Sequence, residues 1–129
     1  MPKKEYIKYW INSAKHDLAV AQSLFGSKKY DWCLFLGHLV LEKVLKAFWV
    51  RDNKSNTIPK IHNLLKIAEQ TKLKLSEENK LFLLNVNDFN IEARYPDYKL
   101  SFYRKCSSGF TKKYFRQIKD FYKWLIKQM

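Results

Sequence analysis

A chain of 129 residues with 47% hydrophobic content is long enough to bury one core without disulfides or metal and fits a single domain, 1–129. Three glycines and three prolines argue against a loop-rich or disordered chain and favour long helices. The 25 Lys and Arg against 12 Asp and Glu give a net charge of +13, which points to polyanionic partners such as nucleic acid, a nucleotide or an acidic protein.

The first predicted helix runs from about Lys4 to Phe25. Trp10, Ala14, Leu18, Ala21 and Leu24 recur at three- and four-residue steps, Gly26 stands where a left-handed C-cap is wanted, and Lys8, Lys15 and Asp17 take the opposite face. The second starts at about Asp31, read as its N-cap, and ends at Arg51. It is apolar around most of its circumference, which suits the centre of a bundle or an oligomer interface. Asp52 to Pro59 reads as a loop, and Leu64, Leu65, Ile67 and Ala68 suggest a short third helix ending near Thr71. Ser76 reads as the N-cap of a fourth, with Glu77 and Glu78 in its first turn, where the helix dipole favours them. That helix should stop before Pro96, leaving Tyr95 to about Ser108 irregular. The last helix, Ser108 to Gln128, is the clearest, with Phe110, Tyr114, Ile118, Phe121 and Leu125 in register and Lys112, Lys113, Arg116, Lys119, Lys123 and Lys127 over the remaining surface. These elements predict an all-α, up-and-down bundle of four long helices plus one short helix.

Charge is uneven along this plan. Residues 1–93 carry 15 basic and 10 acidic groups, whereas 94–129 carry 10 basic and 2 acidic, so the C-terminal quarter is the electropositive part. Cys33 and Cys106, with no Cys/His cluster, suggest neither a disulfide framework nor a zinc site. The apolar run Trp32 to Leu41 is interrupted by Gly37 and His38 and falls short of the roughly 20 residues a membrane helix needs. With no apolar signal core behind Met1, the expected location is cytoplasmic, with no membrane contact. There is no GxGxxG, GxxxxGK or HExxH, and the carboxylates do not cluster as a metal site needs.

Three polar groups are set into the apolar pattern. His38, Glu42 and Lys46 stand at i, i+4 and i+8 on the second helix, a polar stripe expected to face water, a cleft or a partner, with Lys46 suited to a phosphate. His62 follows Pro59 near the start of the third helix, where backbone N–H groups would welcome an anion or the imidazole would cap the helix. Arg94-Tyr95-Pro96-Asp97 combines a guanidinium fork for phosphate, a stacking face, a fixed chain direction and a carboxylate to orient Arg94.

Taken in order, Glu42-Lys43-Val44-Leu45-Lys46-Ala47, Lys60-Ile61-His62-Asn63-Leu64 and Arg94-Tyr95-Pro96-Asp97, with Trp10, Ala14, Asp17, Leu18 and Ala21 upstream, resemble the HEPN family over essentially the whole chain. The resemblance implies an all-helical domain, commonly a homodimer, often encoded beside a minimal nucleotidyltransferase. Many such proteins resemble metal-independent ribonucleases whose signature is an arginine followed after four to six residues by a histidine. Here the windows after Arg51 and Arg94 hold Asn56, Thr57, Ile58 and Lys99, Leu100, Ser101, and Arg104 and Arg116 also lack a histidine in range. The expectation is therefore a non-catalytic domain without cofactor, binding a nucleotide or RNA phosphate through Arg94, Tyr95, Asp97, Lys46 and His62, in a toxin-antitoxin or nucleotide-modifying pair. Two alternatives stand beside it: an RNA endonuclease with a diverged site using Arg94 and His62, and a protein-interaction module without nucleotide affinity.

Overall fold

The computed structural model describes residues 2–94 and 96–129, and all their side chains except those of residues 91–97. Among the described residues six helices follow in order: α1 (Lys3–Gly26), α2 (Tyr30–Asp52), α3 (Leu64–Glu69), α4 (Glu77–Arg94), α5 (Pro96–Lys105) and α6 (Ser108–Gln128). The four long ones alternate in direction. Lys3 on α1 donates to the carbonyls of Val50 and Asn53 at the far end of α2, so these two are antiparallel. Arg51 donates to the Gln128 carbonyl, which sets the ends of α2 and α6 side by side. Phe82 meets Phe121 and Phe89 meets Tyr114, so α4 runs against α6.

The up-and-down bundle is thus present, with one helix more than the sequence pattern implied. Tyr95 to Ser108 is not irregular throughout, because α5 occupies Pro96–Lys105. Proline disfavours helix at the residue before it, but its fixed φ and missing N–H suit the first turn of a new helix. Pro96 therefore opens α5, and Phe102 anchors it, packed 5.5 Å from Phe89.

Helix α2 is the axle. Thirteen of its residues are buried, and α1, α3, α4, α5 and α6 all pack on it, so most of its apolar girth is used within the fold, while Trp32 near its start stays exposed. The helix packs against α6 at Gly37, where a β-carbon would stand 2.8 Å from Ile118 Cδ1.

Three local readings are corrected. The left-handed residue after α1 is Lys28 (φ 63°), two positions past Gly26. Asp31 lies in the first turn of α2, not at its cap, which is Lys29 and has no side-chain hydrogen bond. Asp17 faces inward, since Lys43 of α2 reaches its carboxylate at 2.6 Å and Ser13 at 2.8 Å. Ser76 does cap α4, accepting from the Asn79 N–H, and Ser107 does the same for α6 through Phe110.

Candidate functional site

The site is built around one carboxylate. Glu42 is 4% exposed, at the middle of α2, and a charge so placed must be matched or it costs several kcal/mol. Its Oε2 accepts from Lys46 Nζ at 3.0 Å, one turn further along the helix. Its Oε1 lies 3.2 Å from His62 Nδ1, brought in from the segment that leads to α3. His38, one turn earlier, places Nδ1 4.0 Å from the same oxygen.

The stripe His38, Glu42, Lys46 therefore does not face solvent as a strip. His38 is fully buried and Glu42 nearly so, and only the Lys46 end opens outward. Burial pushes the His38 imidazole below its ordinary value, and the neighbouring Glu42 offsets only part of that, so His38 is neutral at pH 7. Neither of its ring nitrogens completes a hydrogen bond of good geometry, although the Asn87 side chain and the His62 backbone lie beside it.

His62 is held by Glu42 instead of capping α3. Asn63 is the cap, accepting from Lys66 N–H, and Asn87 of α4 accepts from Leu64 N–H. These bonds fix the chain around His62, so the imidazole leans back against α2 with Nδ1 engaged. The side chain is 56% exposed, which leaves Nε2 available to whatever enters from outside.

What lies outside is a cleft of about 520 Å³, within the size range of small-ligand pockets. Tyr6 and Trp10 of α1 form one wall, the Asn56-to-Lys60 segment another, and Lys46 and His62 the base. Lys46 Nζ sits 5.2 Å from the centre of the Trp10 ring, so this ammonium lies between a carboxylate and an aromatic face. The Trp10 indole N–H is buried without a hydrogen-bond partner.

Lys46 and His62 are thus brought together, with Glu42 as the link. Tyr95 and the side chains of Arg94 and Asp97 lie outside the described residues, although Arg94 ends α4 and Asp97 stands in the first turn of α5. Trp10, Tyr6, Thr57 and Lys60 were not singled out as ligand contacts from sequence. The signal for Trp10 was there, as a large aromatic in the upstream part of the motif pattern. Nothing in the periodicity marks Tyr6 or Thr57, because a loop's approach to a helix is a property of the fold.

Among the described residues, those of the motif pattern meet in two groups: Asp17 with Lys43, and Trp10, Lys46, Glu42 and His62, in which Lys46 contacts Trp10 and Glu42 meets both Lys46 and His62. The model of the HEPN domain matches residues 7–129. The chain belongs to the HEPN domain family. No curated protein and no solved structure matches it. The HEPN assignment agrees with the all-helical bundle, and no helix among the described residues is long and apolar enough to cross a membrane.

Two further groups lie away from the cleft. Burial raises Asp52, but hydrogen bonds from Arg51 and from the Lys72 N–H outweigh this and hold its carboxyl below the ordinary value, which ties the end of α2 to the segment after α3. Cys33 and Cys106 are buried, and burial pushes the Cys33 thiol up to about 12.

Proposed function

We propose that this HEPN domain binds the phosphate of a nucleotide or a short RNA in the cleft between α1, α2 and the 56–62 segment, and acts beside a separate nucleotidyltransferase. The observation that carries the reading is the convergence of Lys46, Lys60 and His62 on a cleft walled by Trp10 and Tyr6. Cations suit phosphate oxygens, and aromatic faces suit a base. Lys46 is already paired with Glu42, so Lys60 and His62 are the first contacts for the anion, and Lys46 supplies field from behind. Arg94, Tyr95 and Asp97 are proposed to add a second set of phosphate and base contacts.

Calorimetric titration with ATP, GTP and a short RNA tests this, using Lys60→Ala, His62→Ala and Arg94→Ala beside the wild type. A charge-assisted hydrogen bond contributes about 1.5–3 kcal/mol, so each substitution should weaken binding by about 10- to 100-fold. Wild-type protein that binds none of the three would refute the reading.

A second reading is favoured by one geometric feature. A carboxylate on His62 Nδ1 with Nε2 facing a cleft is the arrangement that orients an imidazole for proton transfer. This supports a metal-independent RNA endonuclease in which His62 handles protons, although the arginine–histidine spacing of the ribonuclease signature is absent. Incubation with total RNA in EDTA discriminates the two: cleavage abolished by His62→Ala supports the enzyme, and intact RNA supports the binder.

A further inference from the structure

The outer face of α6 carries charge of one sign. Thr111, Phe115, Ile118, Phe121 and Leu125 turn inward, and on the outward side Lys112, Arg116, Lys119, Lys123 and Lys127 follow at steps of four, three, four and four. At 3.6 residues per turn and 1.5 Å per residue, these five fall within an arc of about 80° and form a row about 22 Å long. All but Lys119 are exposed. Lys119 is half-buried, with Nζ 3.5 Å from Gln22 Oε1 of α1, so the row runs along the border between α6 and α1.

A solvated helix face does not need such a row. Like charges four residues apart repel and weaken a helix, and Lys112 with Arg116, Lys119 with Lys123, and Lys123 with Lys127 are pairs of this kind. Solubility is served as well by a surface of mixed sign. Asp120 is the one acid in α6, and it lines the groove on the opposite flank together with Glu78 of α4. Among the described residues, no salt bridge joins an acid to the row.

Composition decides what would complement it. The exposed positions of α6 hold only Ser, Gly, Lys, Arg, Gln and Asp, whereas Leu81, Leu84 and Tyr103 stand out from α4 and α5. A protein partner needs an aromatic or apolar anchor, and a membrane surface needs an apolar side chain to insert. A single strand binds largely by stacking its bases on aromatic rings, which this face lacks. The phosphates of a duplex are already held in regular rows, and cations alone suffice for them. Four lysines to one arginine supply point charges, where base readout would want bidentate forks.

From this we infer that the outer face of α6 binds the phosphate backbone of a nucleic-acid duplex, without regard to its sequence. No residue of α6 lines the Trp10–His62 cleft, so this surface is separate from nucleotide binding there and is tested separately.

Fluorescence anisotropy with labelled RNA and DNA duplexes of unrelated sequence, at salt from about 50 to 200 mM, tests this. Both should bind, because ammonium groups read charge and not the sugar. Each neutralised phosphate contributes about −0.9 to the slope of log K against log salt, so the row should give a slope of about −4 to −5. Arg116→Gln with Lys123→Gln should reduce that slope by about 2 and weaken binding by about 10- to 100-fold at the lowest salt. Lys66→Gln with Lys74→Gln makes the same change in net charge at exposed positions in and after α3, and should leave the slope as it is. Circular dichroism melts establish that both double variants are folded. A wild type that binds neither duplex, or only one of them, would overturn the inference. So would a Lys66/Lys74 pair that lowers the slope as much as the Arg116/Lys123 pair, since net charge alone would then explain binding. Tighter binding of the single strands, or displacement of the duplex by polyglutamate at equal charge, would overturn it as well, the latter in favour of an acidic protein partner.

Discussion

Replacing Glu42 by Gln keeps the shape of the side chain and removes the charge on which the cleft is organised. Lys46, 13% exposed at its side chain, then holds an ammonium against the Trp10 ring and an amide, with no carboxylate. Removing one partner of a fully buried pair costs about 3–5 kcal/mol. The Lys46 end of this pair opens on the cleft and its stem can swing toward water, so the expected loss is smaller, about 2–3 kcal/mol. Unfolding entropy of about 2.1 cal/mol/K per residue gives about 0.27 kcal/mol/K for a chain of this length, and the melting temperature should fall by about 7–11 °C. Circular dichroism melts at pH 7 measure this directly. Adding Lys46→Met removes the orphaned cation as well, and the double variant should return to within about 1 kcal/mol of the wild type. A Glu42→Gln protein that melts within 2 °C of the wild type, or a double variant that loses the sum of the two single losses, would refute the argument.

Other perturbations reach different parts of the account. Because burial lowers the folded-state value of His38, the unfolded chain binds more protons as pH falls below about 6.5, and stability is lost in that direction; the melting temperature of the wild type should drop between pH 7 and 5.5, and His38→Asn should flatten that part of the slope. Ellman's reagent at pH 8 should leave both thiols unreacted in the native protein, since Cys33 and Cys106 are buried and the Cys33 thiol is pushed up to about 12, and should titrate two in denaturant; fast native labelling contradicts the burial. Gly37→Val should destabilise by about 1–3 kcal/mol, despite valine's better helix propensity, because its β-carbon meets Ile118; an unchanged melt would mean that α2 and α6 pack less closely.

The long helices were legible in the sequence because each carries an apolar face of helical period, strongest in α6. α5 was missed because Pro96 was read only as a stop, when the same ring constraint also starts a helix, and because Tyr98, Leu100 and Tyr103 leave their apolar surface outside and blur the period. The polar stripe of α2 was found, but its orientation was misjudged. Periodicity assigns polar residues to solvent, whereas Glu42 is buried with its oxygens matched by Lys46 four residues away and His62 twenty residues away. The second of those partners comes from tertiary structure, which no local pattern encodes. The order of the motifs named Glu42, Lys46 and His62 without showing that they touch.

Nucleotide binding in the Trp10–His62 cleft is the central claim, and the tryptophan indole resonances test it most directly. In ¹⁵N-labelled protein the four indole N–H groups give separate signals, and adding ATP or a short RNA should move that of Trp10, whose N–H is buried in the cleft wall without a partner. Trp32 and Trp124, on other faces, should stay in place. A Trp10 signal that does not move at millimolar nucleotide, or that stays still while Trp124 shifts, would contradict the claim.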